Sequence, residues 1–232
     1  MPMRRRLCVV PIVLVGGLFL GNVAWGAITA DQVRQRLANK VTGKWKTEGL
    51  KVWVVPYSAD STNKGRFKKI TVLASSVIVS GVKMSPVSIS AEDVTLDLNK
   101  LLRENRVVTT KRKSSHFSAK VSQSSLNVAL AQKQTPIQNL ACTLGSGTIT
   151  FTGTYKLGFG ANLKLEGVLE CPDHYQLNFV PQKASVSGVP LPAGPLKTVL
   201  SKMNPLIDFK TVPLSPRVEK ISISSGTLTI SG

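Results

Sequence analysis

Histidine, cysteine, acidic and aromatic side chains are all scarce in this chain of 232 residues. It carries 2 histidines, 3 cysteines and 12 acidic residues, and aromatic residues make up only 6%. Each scarcity removes a class of function. The few acids are scattered, which gives little support to a paired-carboxylate site. His116 and His174 would have to meet a serine and a carboxylate to build a hydrolytic triad, and no G-x-S-x-G nucleophile elbow occurs. The nearest string, Gly145-Ser146-Gly147, lacks the spacing. No glycine-rich phosphate loop precedes a helix. So few aromatic rings argue against a base-stacking platform. The chain reads as non-enzymatic, with no cofactor and no metal.

Positive charge is abundant. Lys and Arg number 30, for a formal net charge of +18 at pH 7, spread through β-patterned segments. Such a balance implies an anionic partner: nucleic acid, an acidic polymer or a membrane surface. Location decides among these. Met1–Gly26 has the layout of a secretory signal, with Arg4, Arg5 and Arg6 ahead of the apolar run Leu7–Leu20 and small residues in Ala24-Trp25-Gly26. The run is about 14 residues, short of the roughly 20 that span a bilayer. Removing this segment leaves 18 − 3 = +15 on residues 27–232, which read as one α+β domain. Export to the periplasm or cell envelope demotes nucleic acid as a partner and favours anionic lipid or wall polymer.

The stretch Gly65–Leu98 carries the strongest pattern. Its alternation of apolar residues shifts phase near Ser75-Ser76 and again near Glu92-Asp93, each shift moving the apolar set to the other face. Bulges at those points would bend two long strands, joined by a bend at Pro86, into a curled sheet. Before it, Thr29–Thr42 reads as an amphipathic helix with Val33, Leu37 and Val41 on one face, a Thr29/Gln32 capping box and a stop at Gly43. That helix either packs on the core or also lines a ligand channel. Lys51–Tyr57 should be a strand ending at Pro56, and Ser58–Gly65 a polar turn.

Lys100–Lys113 reads as a turn, a short strand at Val107-Val108 and a basic loop. The consecutive cations Lys111, Arg112 and Lys113, with Lys68 and Lys69, are the candidates for docking to anionic headgroups; a solvated face is the plainer reading. Phe117, Ala119 and Val121 mark a strand, and Ser122 or Ser124 caps a helix over Ser125–Lys133. A meander follows: Ile149, Phe151 and Leu157, a turn at Gly158-Phe159-Gly160, then Leu163, Leu165 and Leu169, then Tyr175, Leu177 and Phe179. A helix from Pro195 places Leu196, Val199, Leu200 and Met203 on one side, and Val218–Ile230 closes the chain as a hairpin.

Cys142 and Cys171 bracket the strand pair of residues 145–169. In an exported protein such a pair forms a disulfide, worth roughly 2–4 kcal/mol for a loop of about 30 residues. Free buried thiols are the second reading. A zinc site from Cys142, Cys171 and His174 is the third.

Gly65–Leu98, the strand-to-helix stretch Ala119–Leu130 and the ending from Val186 to Gly232 together resemble the exported LmeA-type phospholipid-binding proteins. The resemblance implies a lipid-binding fold like that of the bactericidal permeability-increasing proteins: a long, curled antiparallel sheet wrapped around two or three amphipathic helices. It also implies a phospholipid or other anionic lipid as ligand and a peripheral membrane surface as partner. Candidate walls for an apolar groove are Ile70, Val72, Val77, Val79, Val94, Leu96, Phe151 and Leu165, with Leu196, Val199 and Met203 from the last helix. An envelope structural protein that holds anionic wall polymer is the alternative.

Overall fold

A computed structural model describes residues 27–155, 160–210, 212 and 214–232. The expected secretory segment Met1–Gly26, and Leu157 with the turn at Gly158-Phe159, lie outside the described residues. The chain opens with α1 (Ala30–Lys44), β1 (Thr47–Glu48), β2 (Lys51–Pro56) and α2 (Ala59–Asn63). Then come β3 (Arg66–Ala74), β4 (Ser76–Val79), β5 (Val82–Met84), β6 (Val87–Leu96), α3 (Leu98–Arg103), β7 (Thr109–Lys111) and β8 (Ser114–Ser122). After α4 (Gln123–Ala131) follow β9 (Ile137–Leu144), β10 (Ile149–Tyr155), β11 (Ala161–Glu170), β12 (Gln176–Val186) and β13 (Val189–Pro190). The last elements are α5 (Ala193–Met203), β14 (Ile207–Asp208), β15 (Lys220–Ser224) and β16 (Thr227–Ser231).

The class is α+β with large antiparallel sheets, as the pattern suggested. The strands divide among three hydrogen-bonded sheets, where the sequence suggested one. A seven-stranded sheet runs β15-β16-β8-β6-β3-β2, with β7 on β6. A six-stranded sheet runs β13-β12-β11-β10-β9, with β14 on β12, and a small sheet runs β1-β4-β5. The buried apolar side chains of all three form one contiguous cluster.

Local chemistry explains the starts and breaks. Thr29 and Gln32 close the capping box of α1, with bonds of 3.2 and 3.0 Å, and Val33, Leu37 and Val41 are buried at four-residue spacing. The first phase shift is a change of sheet: at Ser75 the chain leaves the seven-stranded sheet as β3 and enters the small sheet as β4. It reverses at Ser80-Gly81, both at positive φ as a tight two-residue hairpin requires, and not at Pro86. The second shift is a matched irregularity. β3 and β6 both change phase around Lys68 and Asp93, so Phe67 still faces Val94 and Lys69 still faces Glu92. Against β2, by contrast, Lys68 is an extra residue, a bulge between Val55 and Pro56.

Two segments read as loops are short helices. Ser58 caps α2 and Asp97 caps α3, each side chain accepting from a backbone N–H three residues on. β9 was missed altogether, because Gln138 and Asn139 interrupt its alternation. In the six-stranded sheet Phe151 meets Phe179 edge to face at 4.7 Å. Gly167 sits at the β11–β12 bulge, where a Cβ would run into the Val180 carbonyl oxygen, so the strands need a residue without a side chain there.

Candidate functional site

The inner face of the seven-stranded sheet does not close completely against the elements over it. Between α1, the β4–β5 hairpin, β3, β6 and β8 lies a small apolar void of about 20 Å³. Its walls include Val41 and Trp45 from above, Val72 and Phe117 from the sheet, Met84 from the hairpin, and Phe209 from the segment after β14. Phe117 and Phe209 meet edge to face at 5.3 Å. The volume would admit about one water, but a water needs polar partners that this lining withholds, so the void stays dry.

Beside the void, an open depression of about 690 Å³ lies between the end of α1, the tip of the β4–β5 hairpin and the start of α4. Lys44, Lys46 and Lys83 line it, with hydroxyls from Ser80, Ser124 and Ser125. Lys44 Nζ stands 5.2 Å from the centre of the Trp45 ring. Glu48 accepts from Ser76 Oγ at 2.8 Å and from Lys83 Nζ at 3.2 Å. The Ser76 hydroxyl and the Lys83 ammonium hold the Glu48 carboxyl below its usual range. Glu48 thus occupies Lys83, while Lys44 and Lys46 have no carboxylate partner among the described residues. Trp45 lines both the void and the depression.

The expected wall residues separate into two groups. Val72, Val77 and Val79 line the void. Ile70, Val94 and Leu96 are buried on the same sheet but away from it, Phe151 and Leu165 pack inside the six-stranded sheet, and Val199 and Met203 are buried on α5 beside half-buried Leu196. Trp45, Phe117 and Phe209 were not among the expected walls. Trp45 carries a signal in the sequence: it continues the four-residue stripe Val33, Leu37, Val41 past Gly43, where α1 runs on to Lys44.

Of the expected docking cations, Lys111, Lys113, Lys68 and Lys69 are exposed. Arg112 is not available in the same way, since its guanidinium turns inward and donates to Leu214 O at 2.6 Å and Ser215 O at 3.3 Å.

The expected disulfide is corrected. Cys142 and Cys171 are free thiols. Cys142 faces Phe151, and Phe151 faces Leu165, so Cys142 is level with Leu165 two strands away. Cys171 lies six residues beyond Leu165, roughly 20 Å along the strand, whereas a disulfide needs Cα atoms within about 7 Å. Burial pushes the Cys142 thiol up to about 12, and burial with the Asp173 charge pushes Cys171 up to about 11, so both stay protonated at neutral pH. His174 is engaged through Nδ1 with the Val218 carbonyl at 3.0 Å. Among the described residues no group of three His, Cys, Asp or Glu side chains is placed to hold a metal.

A family model described as LmeA-like phospholipid-binding matches residues 62–232. The matched span holds the sheet floor of the void, Met84, Phe117 and Phe209; α1 and Trp45 precede it. No curated protein and no solved structure matches the chain.

Proposed function

This chain belongs to the LmeA-like phospholipid-binding family, and we propose that it houses a phospholipid acyl chain beneath α1, with the phosphate at the lysine-lined depression. The observation that carries this reading is the shared wall at Trp45: an apolar interior and a cationic mouth meet at one side chain. That is the polarity of a phospholipid. In this reading Met1–Gly26 is a secretory leader and the protein works in the periplasm or cell envelope at an anionic membrane surface. The sheets curl around the helices in the manner of the bactericidal permeability-increasing proteins, and carriage between membranes follows from the same site. No described helix is long and apolar enough to cross a membrane.

Volume decides how the lipid enters. As it stands the void has room for about one water, too little for an acyl chain of about 16 carbons. Something must open, and in this reading it is α1, whose Val41 and Trp45 cover the void. It buries Val33, Leu37 and Val41, with Trp45 at its C-cap, at about 1.5–3 kcal/mol each, so lifting it costs roughly 6–12 kcal/mol. The acyl chain contributes on the order of 10 kcal/mol gross at about 0.8 kcal/mol per methylene, which is comparable to that cost.

The small size of the void favours a second reading, an envelope protein with a packed interior that holds anionic wall polymer through its charge. Native mass spectrometry separates the two. Protein taken from the soluble envelope fraction should carry a bound phospholipid mass. A clean apo mass, with no lipid uptake from vesicles, would favour the wall-polymer reading.

A further inference from the structure

Outside the void, the outer face of β2 and β3 stands apart. Among the described residues β2 is the edge of the seven-stranded sheet and pairs with β3 alone. Of six exposed large hydrophobic residues among those described, four gather here: Trp53, Val55, Tyr57 and Leu73, exposed by 44, 45, 53 and 36%. The register makes them one patch, since Leu73 faces Lys51, Thr71 faces Trp53 and Lys69 faces Val55. Further along the same face, β6 offers Ser88, Ser90 and Glu92, and β8 offers His116 and Ser118. The apolar surface is therefore confined to the edge.

Cations ring it. Lys51 and Lys69 lie in register with the patch, Lys68 sits at the bulge, and Lys64, Arg66 and Lys111 share an open depression with Tyr57. The Tyr57 hydroxyl donates to Asp93, whose carboxylate lies 4.0 Å from Lys113 Nζ. Three acids, Asp60, Glu92 and Asp93, stand among these seven cations, which leaves a net charge of 7 − 3 = +4.

We infer that this edge is the face by which the protein seats on an anionic bilayer, an assignment that rests on the lipid reading above. Trp and Tyr have apolar rings with polar tips and settle at the level of lipid headgroups, and cations beside them meet the anionic surface. Strand addition by a second copy is the rival occupant. Lys51 on the edge, Pro56 without an N–H, and the repulsion between two strongly cationic chains all oppose it. The assignment also suits delivery. Val72 and Ala74, which alternate with Leu73, point inward and line the void, so bilayer and acyl site lie on opposite faces of the same strand.

Flotation with vesicles tests this. The purified protein should float with vesicles of phosphatidylcholine and phosphatidylglycerol at 3:1. Trp53→Ser/Tyr57→Ser should weaken that binding about tenfold or more, Lys51→Glu/Lys69→Glu should weaken it on these vesicles but not on phosphatidylcholine alone, and Val189→Ser should change nothing. Circular dichroism melts confirm that each variant folds. The lipid mass carried by each variant is read separately. Flotation lost with lipid load retained supports the edge. Flotation lost in the variants, with no lipid load even in the parent chain, supports the edge while removing the cavity reading. Variants that float like the parent would overturn the assignment, as would a parent dimer that the Trp53/Tyr57 variant dissolves.

Discussion

Phe209→Ala is expected to lower the unfolding free energy by about 3–5 kcal/mol, as for other fully buried phenylalanines, and to make the protein respond more strongly to lipid. Phe209 is completely buried, closes one side of the void and meets Phe117 edge to face. Truncation removes its transfer energy and leaves a hole that the surrounding strands only partly refill. The lost aromatic pair accounts for about 0.5–1.5 kcal/mol of that. Because the hole joins the proposed acyl site, a chain that enters it recovers part of that energy. Phospholipid should therefore raise the melting temperature of Phe209→Ala by more than that of the parent chain, following the linkage between binding and stability. Denaturant titration and thermal melts with and without lipid check both halves. A cost below about 1 kcal/mol would be out of line with large-to-small core changes and would remove Phe209 from the core.

The opposite change should abolish uptake. Val79 lies on β4, almost fully buried, and lines the void. Val79→Trp adds a bicyclic ring where only about 20 Å³ is open, so the hairpin or α1 must shift, at about 1–3 kcal/mol by the cost of overpacking. Such a variant still folds if the parent has ordinary domain stability. The ring would occupy the space through which the acyl chain enters, and lipid load should fall about tenfold or more. Mass spectrometry after incubation with vesicles reads the load, and a melt reads the fold. A folded Val79→Trp that loads lipid like the parent would place the acyl chain elsewhere.

Some of this architecture was legible in the chain because the relevant signals are local. α1 follows from Val33, Leu37 and Val41 with a capping box three residues wide, and the strands follow from alternation in runs such as Leu163–Leu169. What stayed hidden depends on pairing between distant residues. The phase shift at Ser75 looks the same whether a strand bulges or crosses into another sheet. Only pairing with β1, where Glu48 faces Ser76, decides for crossing. The cysteines failed for the same reason, since bracketing two strands says nothing about their offset along the sheet. The short helices α2 and α3 were legible in principle through Ser58 and Asp97, but polar and basic composition dominated that reading. The void was half legible: valines of β3 and β4 line it, while Phe209 reaches it only through the tertiary fold. The exposed edge at Trp53 and Tyr57 was invisible because alternation shows two faces of a strand without showing which one is left uncovered.

The most direct measurement is photolabelling with a phospholipid that carries a diazirine midway along one acyl chain, followed by peptide mapping of the adducts. Adducts are expected on the walls of the void, at Val41 of α1 and at Val72, Val79, Met84 and Phe117, with their loss in Val79→Trp. Adducts confined to the outer edge at Trp53–Tyr57, or spread over the six-stranded sheet at Phe151 and Leu165, would contradict it.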